Sequence, residues 1–476
     1  MIKLDEVNST SALPPIKIVT HPDVQPELPW ETFWDEALTQ RRGKPVINEH
    51  TFAKGYTGMN NLRYGNGVFY NEFGMISEDD VLKDIYDTVG QFIQENLAAR
   101  SKSILECVKI EANRGAFHVN QHLIPFRNGD MYITKKGWIF HENKRTEVPY
   151  RLSVDFRSLD NILPSPHFDK WLDDLFEEED QLTLQEYLGY CLLPTTNAQE
   201  ALFLIGDGGS GKSVIGSILQ AMFGDAMLSV DNMHEFLEDK FKIPELENKL
   251  VLYDDDLKES ALTETGFFKK LITNTGYITA DRKYSQPFKF KPYTRIVACA
   301  NYMLSSRFDS SEGFYRRLHP LVIKPKPDDR DIIRGFESMV AKEAEAITQW
   351  ALVGLYRLIG NNYILTTSKK TTQYMTSVKS LANHFPDFME SCFEINAEGK
   401  VSTKEVNDLY KAWCYQNSID EKKTRSLQKW LTDNLDKYHL TPTTHVKRGN
   451  RELRGYAGIS VKAEWDLNDN TIRLEI

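Results

Sequence analysis

No stretch of the 476-residue sequence runs apolar for about 18 residues, so nothing in it is built to cross a bilayer as a helix. Its opening residues, MIKLDEVNSTSALPPIKIV, lack the apolar core and small-residue cleavage site of a secretory signal. Cysteine is scarce and scattered: Cys107, Cys191, Cys299, Cys392 and Cys414 form no C-x-x-C pair. That argues against a zinc ribbon or a disulfide framework and fits a reducing, cytoplasmic setting. Positive charge is in deficit as well, with 58 Lys and Arg against 68 Asp and Glu and a net charge of −10. A general basic coat for nucleic acid is therefore absent, and any such contact must come from local basic features. There is no internal repeat and no long low-complexity tract, so the chain is not a repeat array. What remains is an ordinary globular composition, 41% hydrophobic and 26% charged, long enough for about three domains at roughly 150 residues each.

The most informative stretch is LFLIGDGGSGKSV, residues 202–214, an apolar strand running into G-x-x-x-x-G-K-S. This is the pattern of a phosphate-binding P-loop between a strand and a helix. Gly206, Asp207, Gly208, Gly209, Ser210, Gly211, Lys212, Ser213 and Val214 are the predicted nucleotide-binding residues. The glycines let the backbone turn tightly enough to aim N–H groups at phosphate oxygens, and the following helix adds its N-terminal dipole. Lys212 is expected to reach the β- and γ-phosphates, and the Ser213 hydroxyl to sit on Mg2+. ATP and Mg2+ are thus the expected cofactors, and hydrolysis of a nucleoside triphosphate the expected chemistry.

Such a loop needs a second acidic site. About 40 residues on, KLVLY reads as a buried strand ending in Asp254, Asp255 and Asp256. Carboxylates at the end of a parallel strand beside the loop strand belong where metal and attacking water meet. One aspartate should orient the metal-bound water, with Asp255 placed on the metal, and a neighbour should act as base; the register among the three is open. A further apolar strand, TRIVACAN, ends in Asn301, whose amide can touch both the γ-phosphate and the lytic water. Then GFYRRL brings Arg316 and Arg317, one of which can serve as a finger to a neighbouring subunit's γ-phosphate.

Taken in order, GDGGSGKS, LVLYDDD, FFKKLITNTGYITADRKYSQPFKF, RIVACAN and GFYRRL resemble the superfamily 3 helicases, the AAA+-like ring motors of viral, phage and plasmid replication. The third block is similar to their DNA-contacting hairpin, which implies that Lys269, Lys270, Arg282, Lys283 and Tyr284 face a central channel. The residue types agree, since Lys and Arg bind phosphates and an aromatic stacks on bases. Residues 123–160 and 184–193 resemble the domain preceding the motor in phage and plasmid primase-helicases. ITQWALVGLYRLIG resembles the helix that follows that motor, and KVSTKEVNDLYKAWCYQNS resembles its C-terminal domain. Two departures stand out: the acidic strand ends in Asp-Asp-Asp where many relatives carry Glu, and the first ~55 residues are too short for a polymerising primase domain.

The C-terminal region reads independently as a winged helix. Val401 to Asn417 is a predicted helix with Val406, Leu409, Tyr410 and Trp413 on one face; Leu427, Trp430, Leu431 and Leu435 form the stripe of a second helix. Two strand-like runs follow around Arg448-Gly449-Asn450-Arg451. Lys423, Arg425 and Lys429 at the second helix, with Lys447, Arg448, Arg451 and Arg454 in the wing, are the predicted duplex contacts.

The expected architecture is α/β: a P-loop AAA+-like motor with a central parallel sheet, flanked by an N-terminal α+β domain and a C-terminal winged-helix domain. The expected boundaries are an N-terminal segment without an assigned role (1–55, with one short helix at Trp30 to Gln40), the α+β domain (56–165), a helical connector (166–198), the ATPase core (199–335), a helical lid (336–365), a linker leading into a helix (366–384) and the winged helix (385–476). A helix is also expected from Asp79 to Arg100, and a solvated acidic face at Asp173, Asp174, Glu177, Glu178, Glu179 and Asp180. The expected function is an ATP-dependent replicative DNA helicase of a mobile element, a homo-hexamer that meets single-stranded and duplex DNA and a separate primase or other replication proteins, with no membrane contact. The alternative is an initiator or loader ATPase that remodels DNA or protein without processive unwinding.

Overall fold

The computed structural model describes residues 15–21, 37–41, 44–65, 67–71, 73–93, 95–114, 119–134, 137–146, 148–258, 262, 265–273, 276–281, 287–304, 311–325, 333–382, 384–417, 421 and 423–465. The chain divides into two compact units, Met1–Met375 and Thr376–Ile476.

The first unit begins with β1 (Ile16–Thr20), followed by the hairpin β2 (Leu38–Arg41) and β3 (Lys44–Ile47). Leu38–Arg41 is thus a strand where the end of a short helix was expected; the earlier part, up to residue 36, lies outside the described residues. Then come α1 (Glu49–Met59), the small meander β4 (Arg63–Gly65), β5 (Val68–Asn71) and β6 (Gly74–Ile76), α2 (Glu78–Gly90) and α3 (Leu97–Ala112). The helix expected from 79 to 100 is broken. It ends at Gly90, and Asn96 turns the chain at a left-handed φ of 55° before α3 begins. Val81, Ile85 and Val89 still face the core, together with Phe52, Phe69 and Val108.

The next strands, β7 (Leu123–Phe126), β8 (Gly129–Thr134) and β9 (Gly137–Glu142), form an antiparallel meander that β1 extends by pairing parallel to β9. Their buried side chains, Ile124, Phe126, Met131 and Phe140 among them, share a core with α4 (Pro166–Leu175), α5 (Glu178–Cys191) and the large sheet beyond. The region expected as one α+β domain, 56–165, therefore contributes to two cores. The acidic run is also less uniform than expected, because Asp180 is fully buried and burial raises its pKa against a Ser368 hydrogen bond.

Five parallel strands make the central sheet: β10 (Ala201–Ile205), β11 (Met227–Val230), β12 (Val251–Leu257), β15 (Arg295–Ala300) and β16 (Leu318–Val322), in the order β11-β12-β15-β10-β16. Every residue of β10 and β15 is buried, as continuous apolar runs in a two-sided parallel sheet require. Between these strands lie α6 (Val214–Phe223), α7 (Met233–Glu238), α8 (Gly266–Thr273), the short hairpin β13 (Ile278–Ala280) and β14 (Phe288–Phe290), and α9 (Glu312–Tyr315). Helices α10 (Phe336–Ala341) and α11 (Ala344–Gly360) follow.

Residues expected as a linker instead form α12 (Lys369–Ala382), within which the unit boundary falls. Its polar composition has a use. Lys370 Nζ donates to the Val322 carbonyl at 2.6 Å and Thr371 Oγ1 to the Pro320 carbonyl at 2.9 Å, covering carbonyls of the edge strand β16.

The second unit runs α13 (Phe385–Cys392), β17 (Phe393–Ser402), α14 (Thr403–Gln416), α15 (Thr424–Asp433), β18 (Thr441–Arg448) and β19 (Arg451–Val461), with sheet order β17-β19-β18. Val406, Leu409, Tyr410, Trp413, Leu427 and Leu431 fill its core. β17 has no counterpart in the sequence reading, and Val401, expected in a helix, is its penultimate residue. Ser402 then caps α14 in a reciprocal box with Glu405.

Candidate functional site

The C-terminal ends of β10, β12 and β15 lie together, because parallel neighbours end on the same side of a sheet. At the end of β10 the chain enters the loop 206–213 and emerges as α6. Asp207, Gly208 and Gly209 form an exposed crest, Ser210 and Lys212 are buried, and Ser213 is exposed at the head of the helix. Gly209 and Gly211 take φ values of +71° and +92°, which an L side chain adopts only under strain. The Lys212 ammonium folds back across the loop, donating to the Gly206 and Asp207 carbonyls and lying 3.4 Å from Asn301 Oδ1. Burial lowers its pKa from the usual lysine range, partly offset by Cys299, Asp207, Asp256 and Asp255. An anion placed at the crest would relieve that penalty by adding negative charge beside a desolvated cation.

The three aspartates separate sharply. Asp254 is 1% exposed, and its carboxylate accepts from the backbone N–H of Met233 at 2.8 Å and of Asp256 at 3.1 Å. Burial raises its pKa, tempered by those two N–H groups. Asp255 and Asp256 are exposed and sit in an irregularity of the β12–β15 ladder between Asp254 and Leu257. Such a bulge re-aims side chains at the strand end. Asp255 accepts a hydrogen bond from the buried Tyr253 hydroxyl, which also lies 3.6 Å from Cys299 Sγ. Tyr253 fits there only because α6 has Gly216 opposite it: a Cβ at 216 would stand 2.6 Å from the ring. Burial pushes the Cys299 thiol up to about 12, so it is an inert packing group.

Asn301, exposed just past β15, joins Lys212 at the loop. Arg316 and Arg317 do not. They precede β16, whose first residue Leu318 pairs with Ala201, and the Arg317 carbonyl accepts the Ala201 N–H at 2.8 Å. That is the far end of the sheet from the loop. Arg316 is exposed and Arg317 is 9% exposed.

Residues able to hold a phosphate-bound Mg2+ are the exposed hydroxyl of Ser213 and the carboxylates of Asp255 and Asp256. Among the described residues no group of three or more His, Cys, Asp and Glu could form a metal cage by itself. One hydroxyl and one or two carboxylates suit a small hard cation that keeps waters and phosphate oxygens as its other ligands. Sequence reasoning missed the supports of this set, Tyr253, Gly216 and Trp171, whose indole N–H donates to the Gly211 carbonyl at 2.9 Å. Trp171 and Gly216 act on partners distant in sequence and carry no motif, whereas Tyr253, two residues from Asp255, was legible only as part of the apolar strand.

Of the predicted DNA contacts, Lys269 is half-buried and Lys270 exposed on α8, and Arg282, Lys283 and Tyr284 lie outside the described residues. In the second unit Lys423, Arg425 and Lys429 are exposed at the start and on the face of α15, and Lys447, Arg451 and Arg454 are exposed on the β18–β19 hairpin. Arg448 is engaged internally: its guanidinium bonds both Glu405 oxygens, at 2.6 and 3.1 Å, and the Lys400 carbonyl at 3.0 Å. Glu405 feels burial pushing its pKa up, but Arg448 and Ser402 together hold it below the usual range. Among the described residues no helix is long and apolar enough to cross a membrane.

Residues 204–317 match the model of a family of unknown function (DUF5906), a span that runs from β10 to Arg317. No curated protein matches the chain. Among solved structures, it is similar to an apo A-form structure of the NrS-1 C-terminal region, at 12% identity and a TM-score of 0.47, covering 83% of this chain and 95% of that one. A second apo structure of the same region gives 12% identity and a TM-score of 0.49 over 87% of this chain and 100% of that one.

Proposed function

We propose that this chain is an ATP-hydrolysing DNA motor of the superfamily 3 helicase type. One observation carries the reading: Lys212, Asp255, Asp256 and Asn301, from the ends of three parallel strands, meet at a glycine-crested loop that opens a helix. Bound at this crest, a nucleoside triphosphate would meet the loop N–H groups and Lys212, with Ser213 and Asp255 on its Mg2+, which supplies charge neutralisation of the phosphates. Asp256 is then the free carboxylate to take a proton from the attacking water, and Asn301 orients that water. Asp254, 1% exposed and with each oxygen already accepting a backbone N–H, suits these roles less well than its two exposed neighbours.

Arg316, exposed at the opposite end of the sheet, suits a neighbouring copy better than its own loop, which favours a ring of identical subunits, a hexamer in this family, over a monomeric ATPase. The element order of the C-terminal unit and its β17-β19-β18 sheet support reading it as a winged helix. Lys423, Arg425 and Lys429 on α15 and Lys447, Arg451 and Arg454 on the hairpin would contact duplex phosphates. Lys269 and Lys270, with Arg282, Lys283 and Tyr284, would contact the single strand, and a separate primase is the natural partner of such a motor. The second reading, a loader that hydrolyses ATP without unwinding, is favoured by the same loop and separated only by the product.

Strand displacement on a forked, labelled duplex with ATP and Mg2+ tests the choice. Unwinding by the wild type that disappears in Lys212→Ala supports the helicase, with Lys283→Ala expected to lose unwinding while keeping ATP hydrolysis. Hydrolysis without displacement on either fork polarity supports the loader and ends the helicase reading.

A further inference from the structure

We infer that Trp171 is a positioning residue for the phosphate loop: its indole N–H fixes the Gly211 carbonyl and thereby aims the Lys212 backbone N–H at bound phosphate. The inference rests on the nucleotide-binding reading of the loop and adds a residue from outside the motif.

Trp171 is fully buried on α4, and its Nε1 lies 2.9 Å from the Gly211 oxygen. In a trans peptide the carbonyl and the next residue's N–H point in opposite directions. A Gly211 carbonyl turned toward α4 therefore points the Lys212 N–H the opposite way within the same peptide plane, away from α4. Without such a bond that orientation is weakly determined, because Gly209 at φ +71° and Gly211 at +92° belong to a backbone free to adopt either hand. One side-chain donor from outside the loop selects one orientation of the peptide that joins the last glycine to the lysine.

The donor is itself held firmly. Pro166 opens α4 and Ser165 makes no side-chain cap. Glu343 supplies the cap instead, accepting from His167 N at 3.2 Å and Phe168 N at 2.8 Å, and pairing with His167 Nδ1 at 2.7 Å. The Trp171 ring stacks on Phe168, with centroids 5.8 Å apart, and meets Phe176 edge-on at 5.4 Å. Phe168 in turn meets Trp350 of α11. A phenylalanine would fill much of the same apolar space; only tryptophan puts an N–H donor on that body.

Equilibrium binding of ATPγS with Mg2+ to the full chain tests this with four proteins: wild type, Trp171→Phe, Phe168→Leu and Lys212→Ala. Losing one oriented hydrogen bond should weaken binding by about tenfold in Trp171→Phe, while Phe168→Leu, which loosens the packing around the donor but leaves its N–H in place, should weaken it by only about threefold. In steady-state hydrolysis the Trp171→Phe change should fall on KM more than on kcat. Should Trp171→Phe not fold, benzothienylalanine at position 171 keeps the shape of tryptophan without its N–H and should show the same loss. Wild-type affinity in the N–H-lacking variants, or an equal loss in Phe168→Leu, overturns the inference while leaving the nucleotide site standing. Absence of binding by the wild type removes the nucleotide reading itself and this inference with it.

Discussion

The loop of the first unit and the basic face of the second deploy charged side chains in opposite ways. At the loop, Lys212 and Asn301 meet across 89 positions of sequence, with Asp255 and Asp256 arriving from a third strand. Buried groups stand behind two parts of this set: Tyr253 under Asp255, and Trp171 behind Gly211, next to Lys212. On the second unit Lys423, Arg425 and Lys429 are neighbours on one helix, and Lys447, Arg451 and Arg454 on one hairpin, all exposed. Convergence from distant segments has to be held by the fold, because a desolvated lysine among carbonyls costs stability unless a ligand answers it. Exposed cations on one element cost the fold little and shape a field. Convergence therefore points to chemistry, and local accumulation points to a surface that attracts.

The comparison breaks first at Lys212. Lys212→Ala should lower ATP turnover by about 10²–10³-fold, the usual effect of removing a preorganised charge from a transition state. Phosphate-release kinetics check this, and near-normal turnover would mean the convergence is structural. Next come the aspartates, which should part company. Asp255→Asn should cost turnover by about 10²-fold while ATP binding persists. Asp254→Asn should instead cost stability by about 1–3 kcal/mol, because its amide can accept from only one of the Met233 and Asp256 N–H groups and turns a donor on the other. Chemical denaturation beside turnover assays separates the two.

The surface should respond gently. Arg425→Ala and Lys429→Ala should each reduce the salt dependence of duplex binding by about one ion, seen as the slope of log affinity against log salt. Arg448→Ala should leave that slope nearly unchanged, since Arg448 faces Glu405. The smallest effect is in pH. Glu405 has a folded pKa below its ordinary value, so its pair with Arg448 stabilises the unit above that ordinary value and is lost as pH falls through the lowered one. Because both partners are partly exposed the loss should be only a few tenths of a kcal/mol. Comparing melting of wild type and Arg448→Ala across pH 3 to 6 reads it, and a difference that grows toward low pH would contradict the assignment.

What the sequence made legible were the features imposed locally by the backbone. The G-x-x-x-x-G-K-S spacing marks a tight turn, and Gly209 and Gly211 do adopt positive φ there, while the apolar runs before Asp254 and Asn301 are the buried strands that two-sided burial demands. Illegible were the features decided by pairing. Which aspartate faces outward depends on a bulge against β15, invisible in Asp-Asp-Asp. β17 escapes notice because most of its residues are exposed and no alternation marks it. The break between α2 and α3 carries no proline, with α2 ending at Gly90 and α3 entered through a left-handed Asn96, and α12 hides as a polar stretch because its Lys and Thr are used on the edge of β16. Arg448 reads as a free wing cation until Glu405 is placed beside it. Trp171, in an acidic helical stretch with no motif, becomes meaningful only once Gly211 is seen within reach.

The central claim is that the loop residues form a working nucleotide site. Single-turnover hydrolysis of γ-labelled ATP by the full chain with Mg2+, with and without single-stranded DNA, tests it most directly. The account predicts hydrolysis that requires Mg2+, rises with single-stranded DNA and falls by about 10²-fold or more in Lys212→Ala. Near wild-type hydrolysis in Lys212→Ala, or a wild type that neither binds nor cleaves ATP, would contradict it.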